Sequence, residues 1–201
     1  MKLDADWLGE HVADGRLPLW IRVSLASWYR LDAKGFASFG AFGLDGLTAS
    51  NWTSGEGELQ VDLDTGELLP PSKLTRAVRT AVTNGWIGPG SSVHRAFVPH
   101  SVVSVGNVRN APWRRVHRPF LEAQLSNPSV PGWVRVSLAS WAYMSPRGYA
   151  PFGAGELSDL TGVSNVRRAL AEAIAAGWVG DGSTPTRVNG MPSGIWVGQA
   201  T

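Results

Sequence analysis

From Val166 to Gly177 the apolar residues Val166, Leu170, Ala173 and Ile174 share one face of a 3.6-residue wheel with Gly177, while Arg168, Ala171 and Ala175 point the other way. That spacing predicts an amphipathic helix with one side buried and the other offered to a partner. Gly162 stands where a tight turn would enter it, Ser164 where a hydroxyl can cap it, and Gly177 where it ends. Upstream, "AGELSDLTG" reads as a shorter amphipathic helix, and Phe120 to Leu125 as a short helix stopped by "NPSVPG". Between them "WVRVSL" alternates, with Trp133, Arg135 and Ser137 on one side and Val134, Val136 and Leu138 on the other, which predicts a strand. A short helix or turn over 139–144 and a Gly/Pro loop, "SPRGYAPFG", come next. After Gly177, "WVG" and "IWVGQ" predict the two strands of a hairpin with "DGSTPTRVNGMPSG" at its tip.

The same pattern occurs earlier in the chain. "RVSLASW" stands at Arg22 and again at Arg135, an offset of 113, and the match extends to Trp7/Phe120, Leu8/Leu121, Pro18/Pro131 and Trp20/Trp133. Forward of it, Gly35, Phe36, Phe39, Gly40, Leu44, Leu47 and Thr48 face Gly148, Tyr149, Phe152, Gly153, Leu157, Leu160 and Thr161. The match resumes at an offset of 92, where "SKLTRAVRTAVTNGWIG" from Ser72 faces "SNVRRALAEAIAAGWVG" from Ser164. The two offsets differ by 21, the number of extra residues in copy one. A tandem duplication is expected, with one copy over 1–106, a joint over 107–118 and a second copy over 119–201. The tryptophan pairs Trp20/Trp133, Trp28/Trp141 and Trp86/Trp178 are read as core of each copy.

Charge changes the picture once it is divided along the chain. Residues 1–108 hold nine Lys/Arg against eleven Asp/Glu, and residues 109–201 nine Arg against five acids, so a net +2 splits into −2 and +4. Arginine outnumbers lysine fifteen to three, which suits bidentate contacts to phosphate and guanine and equally suits a GC-rich genome. With no cysteine and no close-spaced pair among His11, His94, His100 and His117, neither a metal site nor a cofactor is expected. "GFASFGAFG" and "GDGS" fit neither a dinucleotide fingerprint nor a phosphate loop, and no nucleophile or acid–base set is favoured by spacing, so the chain is read as not an enzyme. The N-terminus lacks the apolar centre of a secretion signal and no apolar run is long enough to span a membrane. The expected location is cytoplasmic, the host cytoplasm if the chain is phage-encoded.

Helix, glycine turn, helix and two-stranded wing follow one another in "GELSDLTGVSNVRRALAEAIAAGWVG" and the residues after it. This string resembles the winged helix-turn-helix of bacterial and phage transcription regulators and replication initiators, strongly over about 30 residues and loosely over about 80 per copy. The resemblance implies an α+β fold of two tandem winged helix-turn-helix domains. Their second motif helices would enter the major groove of double-stranded DNA, with Asn165, Arg167, Arg168 and Ala171 as base-facing candidates in copy two. In copy one the outward residues after the cap Ser72 are Lys73, Thr75, Arg76, Arg79, Thr80 and Thr83, with no acid among them, whereas Glu172 stands in copy two where copy one has Thr80. Arg187 matches the wing, which in the family touches the DNA backbone or minor groove, and Arg95 is a further candidate in copy one.

The joint "NVRNAPWRRVHRPF" gathers Arg109, Arg114, Arg115 and Arg118 with His117 and no acid, and these four positive charges, Arg114, Arg115 and Arg118 foremost, are expected to meet phosphates without reading sequence. Copy one departs from the family pattern between its two motif helices, where an insertion over about 49–71 carries Glu56, Glu58, Asp62, Asp64 and Glu67 and no Lys or Arg. Leu59, Val61 and Leu63 alternate there as in a small hairpin. Phosphate would repel it, so it either points away from DNA, blocks the reading face, or meets a host protein. The expected function is sequence-specific DNA binding as a phage-type transcriptional regulator, one chain acting as a pseudo-dimer. Replication-origin binding, and a winged-helix module that targets a host protein, are the alternatives.

Overall fold

A computed structural model of the chain describes residues 1–39, 43–49, 72–105, 113–145, 147–184, 188–189 and 195–196, the backbone alone at 72, 188, 189, 195 and 196. In chain order its elements are β1 (Lys2–Asp4), α1 (Ala5–Val12), α2 (Leu19–Tyr29), β2 (Phe36–Ser38), α3 (Gly43–Thr48), α4 (Ser72–Thr83), β3 (Arg95–Phe97) and β4 (Val103–Val105). There follow β5 (Trp113–Val116), α5 (Arg118–Gln124), α6 (Gly132–Ala142), β6 (Tyr149–Ala150), α7 (Ala154–Thr161), α8 (Val166–Ala175), β7 (Val188–Asn189) and β8 (Ile195–Trp196). The protein is thus α+β, with helices beside short antiparallel pairings.

Two compact units divide the chain: residues 5–114, and residues 115–201 joined by Met1–Asp4. The sequence placed the first boundary at 106 and kept residues 1–4 with copy one. Their backbone goes elsewhere, because β1 pairs with β8 (Lys2↔Trp196, Leu3↔Ile195) and Met1 exchanges hydrogen bonds with Val116. In that unit β5, β1 and β8 run side by side in that order.

The repeated heptapeptide is helical, not extended. Pro18 and Pro131 precede α2 and α6 with φ −53°, inside the range the pyrrolidine ring imposes, and each helix then runs eleven residues. The alternation in "WVRVSL" misleads because α6 is buried around almost its whole circumference, which removes the polar face that marks a helix. Burial of its serines is tolerated because Ser137 and Ser140 donate to the carbonyls of Trp133 and Val136 four residues back, as Ser24 and Ser27 do in α2. The turn or helix expected from Ala139 is the end of this helix.

Each unit builds its core on that helix. Trp28 stacks on Trp86 (5.2 Å, 9°) with Trp20 edge-on to it (5.4 Å, 88°), and the Trp28 indole N–H donates to the Trp86 carbonyl at 3.1 Å. In the other unit Trp141 stacks on Trp178 (4.9 Å, 10°), Trp133 meets it edge-on (5.4 Å, 83°), and the Trp141 N–H donates to the Trp178 carbonyl at 2.9 Å. All six rings are buried. Offset-stacked and edge-to-face pairs of this kind are worth about 0.5–1.5 kcal/mol each beyond the area they bury.

The glycines that lead into Trp86 and Trp178 explain the helix ends. Gly85 and Gly177 take φ +73° and +70°, the left-handed region open to glycine, and the amides of Trp86 and Trp178 reach back to Ala81 and Ala173. This is the glycine-closed helix end in which a following apolar residue packs onto the last turn. Strand register carries the same correspondence further. Phe36↔Phe97 and Ala37↔Ala96 in β2–β3 have as counterparts Tyr149↔Asn189 and Ala150↔Val188 in β6–β7, at offsets of 113 and 92.

The hairpin expected after Gly177 is corrected in two ways. Residues 178–180 form no strand, since the returning chain is still completing the helix end. The later strands pair with distant partners instead, β7 with β6 inside what read as a Gly/Pro loop, and β8 with β1. Strand pairing is decided by which edge is available in space, and the sequence near a strand does not report that.

Candidate nucleic-acid interface

Helix α4 presents one apolar and one cationic side. Leu74, Ala77, Val78 and Ala81 are buried against the core, while Lys73, Arg76, Arg79 and Thr83 are exposed and Thr75 and Thr80 half-buried at the rim. The Thr80 hydroxyl donates back to the Arg76 carbonyl, and Asn84 donates to the Thr80 carbonyl, so the last turn is held by its own side chains. Lys73, Arg76, Thr80 and Thr83 lie at spacings of three and four and so form one stripe, with Arg79 beside it.

Helix α8 repeats the arrangement with different chemistry. Val166, Ala169, Leu170 and Ala173 are buried, and Arg167, Arg168, Ala171, Glu172 and Ala175 are exposed. The N-cap is Asn165, not Ser164: its carboxamide oxygen accepts the Arg168 amide at 3.1 Å, satisfying a donor that the first turn leaves open. Asn165 therefore serves the helix end. One turn along, Arg168 Nε donates to Glu172 Oε1 at 2.9 Å, although the arginine side chain keeps 78% of its surface. Arg167 carries the remaining cation of that face.

The turn that leads into α8 is sharply defined. Glu156 accepts the Gly153 amide at 2.8 Å to close the start of α7, and Gly162 at φ +64° closes its end. Beneath this turn lies Arg135 of the heptapeptide, whose Nη1 donates to the Thr161 carbonyl. Arg22 does the same to Thr48 at 2.6 Å in the other unit. Burial lowers the Arg22 guanidinium's affinity for its proton, and the charge of Asp14 works against that shift. The sequence reading gave neither arginine a role; the available signal was a cation retained at one place in two otherwise buried segments.

The joint arginines separate into different roles. Arg114 is buried, with 9% of its surface left, and its Nε and Nη2 donate to the carbonyls of Trp28 and Tyr29 at 2.8 and 2.9 Å. It caps the end of α2, where carbonyls lack helical partners and the dipole favours a cation, and the phosphate contact expected of it is withdrawn. Arg115 is exposed. Arg118 is exposed too, bonded to Glu122 at 2.8 Å and lying 4.6 Å over the Tyr143 ring. Arg95 is exposed on β3 with its guanidinium 3.9 Å over the Phe36 ring, a stacking that holds the cation on the strand surface. Arg109, Arg187, the side chain of Ser72 and the acidic insertion from Ser50 to Pro71 lie outside the described residues.

Among the described residues no group of three His, Asp or Glu side chains could hold a metal ion, and no helix is long and apolar enough to cross a membrane. No protein-family model, no curated protein and no solved structure matches the chain.

Proposed function

We propose that the chain binds double-stranded DNA with sequence preference, as a phage-type transcriptional regulator in which α4 and α8 are the groove-entering helices of two winged helix-turn-helix units. The observation that carries this reading is the outer face of α4, where Lys73, Arg76 and Arg79 stand exposed with no acid among them on a helix whose opposite side is core. Cations on a rigid helix attract phosphate, and arginine adds the planar fork that pairs with the guanine edge. Helix–strand–helix–helix–strand–strand, the order α2, β2, α3, α4, β3, β4 and again α6, β6, α7, α8, β7, β8, supports it further. Arg95 and Arg187 would then meet the backbone beside the groove, and Arg115 and Arg118 the flanking phosphates.

Two modules in one chain raise each other's local concentration, so modest affinities combine into tight binding by a monomer. Their outward residues differ, so the two half-sites should differ as well. Selection of bound duplexes from a random-sequence pool, repeated at two salt concentrations, tests the reading. An asymmetric, salt-sensitive consensus is the expected result. Absence of affinity for any duplex in dilute salt would overturn it.

A further inference from the structure

We infer that Arg22 and Arg135 are positioning residues that set where the groove-entering helices begin, an inference that rests on the DNA-binding reading above. Each is the one charged residue of a helix that is otherwise core. Each sends Nη1 to the carbonyl of the threonine that ends the next helix, Thr48 of α3 or Thr161 of α7. Those threonines turn their hydroxyls back onto Leu44 and Leu157, leaving the carbonyl to the guanidinium. The following residue is left-handed in both units, Ala49 at φ +41° and Gly162 at φ +64°.

Stability alone does not account for these arginines. Among the described residues the Nε of each is buried without a hydrogen-bond partner, which costs about 1–3 kcal/mol per donor. An apolar side chain of similar length would fill the space without that cost. What the guanidinium supplies is a fixed point. In copy two only residues 163–165 separate Gly162 from the start of α8, so holding the Thr161 carbonyl holds the origin of that helix. The turn is also pinned a second time on α6, where Val163 lies so close over Gly132 that a Cβ there would come within 3.2 Å of its Cγ2. In copy one the same bond persists, with a left-handed residue at the matched place, Ala49, although the insertion follows, which ties the arrangement to the helix end and not to one turn sequence.

The test uses the full chain and two duplex probes, a site selected by the wild type and a scrambled duplex of equal length. Arg135→Met is expected to weaken binding to the selected site about tenfold, one base contact's worth, with little change on the scrambled duplex and an unchanged salt slope. Arg135→Lys, which keeps an N–H for Thr161 but loses the planar fork that fixes it, should recover only part of the selectivity. Equal loss on both probes with a slope shallower by about one would instead make Arg135 a phosphate contact and overturn the inference, as would undiminished selectivity. Should the Met variant fail to fold, Arg22→Lys and Arg135→Lys decide, with reduced discrimination at an unchanged melting temperature expected and full discrimination overturning. Amide exchange without DNA separates this inference from the function it rests on. Faster exchange through Gly162 and the first turn of α8 in Arg135→Lys supports the clamp even if no duplex binds, and unaltered exchange there refutes it.

Discussion

Ala49 and Gly162 occupy matched places after the threonines that end α3 and α7, and both have positive φ. For glycine this is ordinary; for alanine the left-handed region costs about 1–2 kcal/mol through contact of Cβ with the backbone. Opposite substitutions should therefore have opposite signs. Gly162→Ala is expected to lower stability by about 1 kcal/mol, and its added Cβ, 3.5 Å from Arg135 Nη1, meets ordinary contact only, so conformation alone sets the cost. Ala49→Gly should raise stability by up to about 1 kcal/mol, reduced by the greater freedom of the unfolded chain. Urea midpoints of the two variants check the pair, and destabilisation by both would show that Ala49 is not strained. The glycine was legible in the sequence, because a Gly between two amphipathic segments is a turn signal. The arginine beneath it was not: a side chain's choice between solvent and a buried carbonyl is made by tertiary geometry, and Arg114 misled for the same reason.

Amphipathic helices were the elements the chain spelled most clearly. The positions of α4, α7 and α8 follow from apolar spacing closed by Gly85, Gly162 and Gly177. Helices α2 and α6 were misread as extended because burial on all sides erases periodicity, and β6 hid within a loop because two paired residues leave no pattern. At the same scale the two outward faces make distinct predictions. Arg76→Ala and Arg79→Ala should each weaken binding to the selected site by about 1–3 kcal/mol if they meet base edges, measured by titration against selected and scrambled duplexes. Uniform weakening on both would assign them to phosphate. On α8 the Glu172 carboxylate draws Arg168 to itself and repels phosphate. Glu172→Gln is accordingly expected to tighten binding to every duplex about threefold and to steepen the salt slope by up to about one. Weaker binding, confined to sites carrying one particular base, would mark Glu172 as a reader of that base.

At the scale of the whole molecule the repeated segments predict two cores, and the chain divides into two compact units, but the place of the first residues was not legible. Repetition fixes where two cores are expected, but it is silent about an unmatched segment such as Met1–Asp4, which has no counterpart to align with. Leu3 and Leu8 are both fully buried and stand five residues apart, yet they belong to different units. Truncating a buried leucine costs about 2–5 kcal/mol through lost transfer energy and the cavity left behind. That cost should fall where the contacts are, not where the sequence is nearest. Leu3→Ala is expected to speed amide exchange in β8, with which β1 pairs, and to free the Val116 amide, which bonds the Met1 carbonyl, while α2 and α4 keep their protection. Leu8→Ala should do the reverse, because α1 packs on α2. Residue-resolved exchange on the two full-length variants reads both outcomes. If Leu3→Ala instead loosened α2 and α4 first, the opening strand would belong energetically to the unit that follows it in sequence, and the division of the chain would have to be redrawn at its N-terminus.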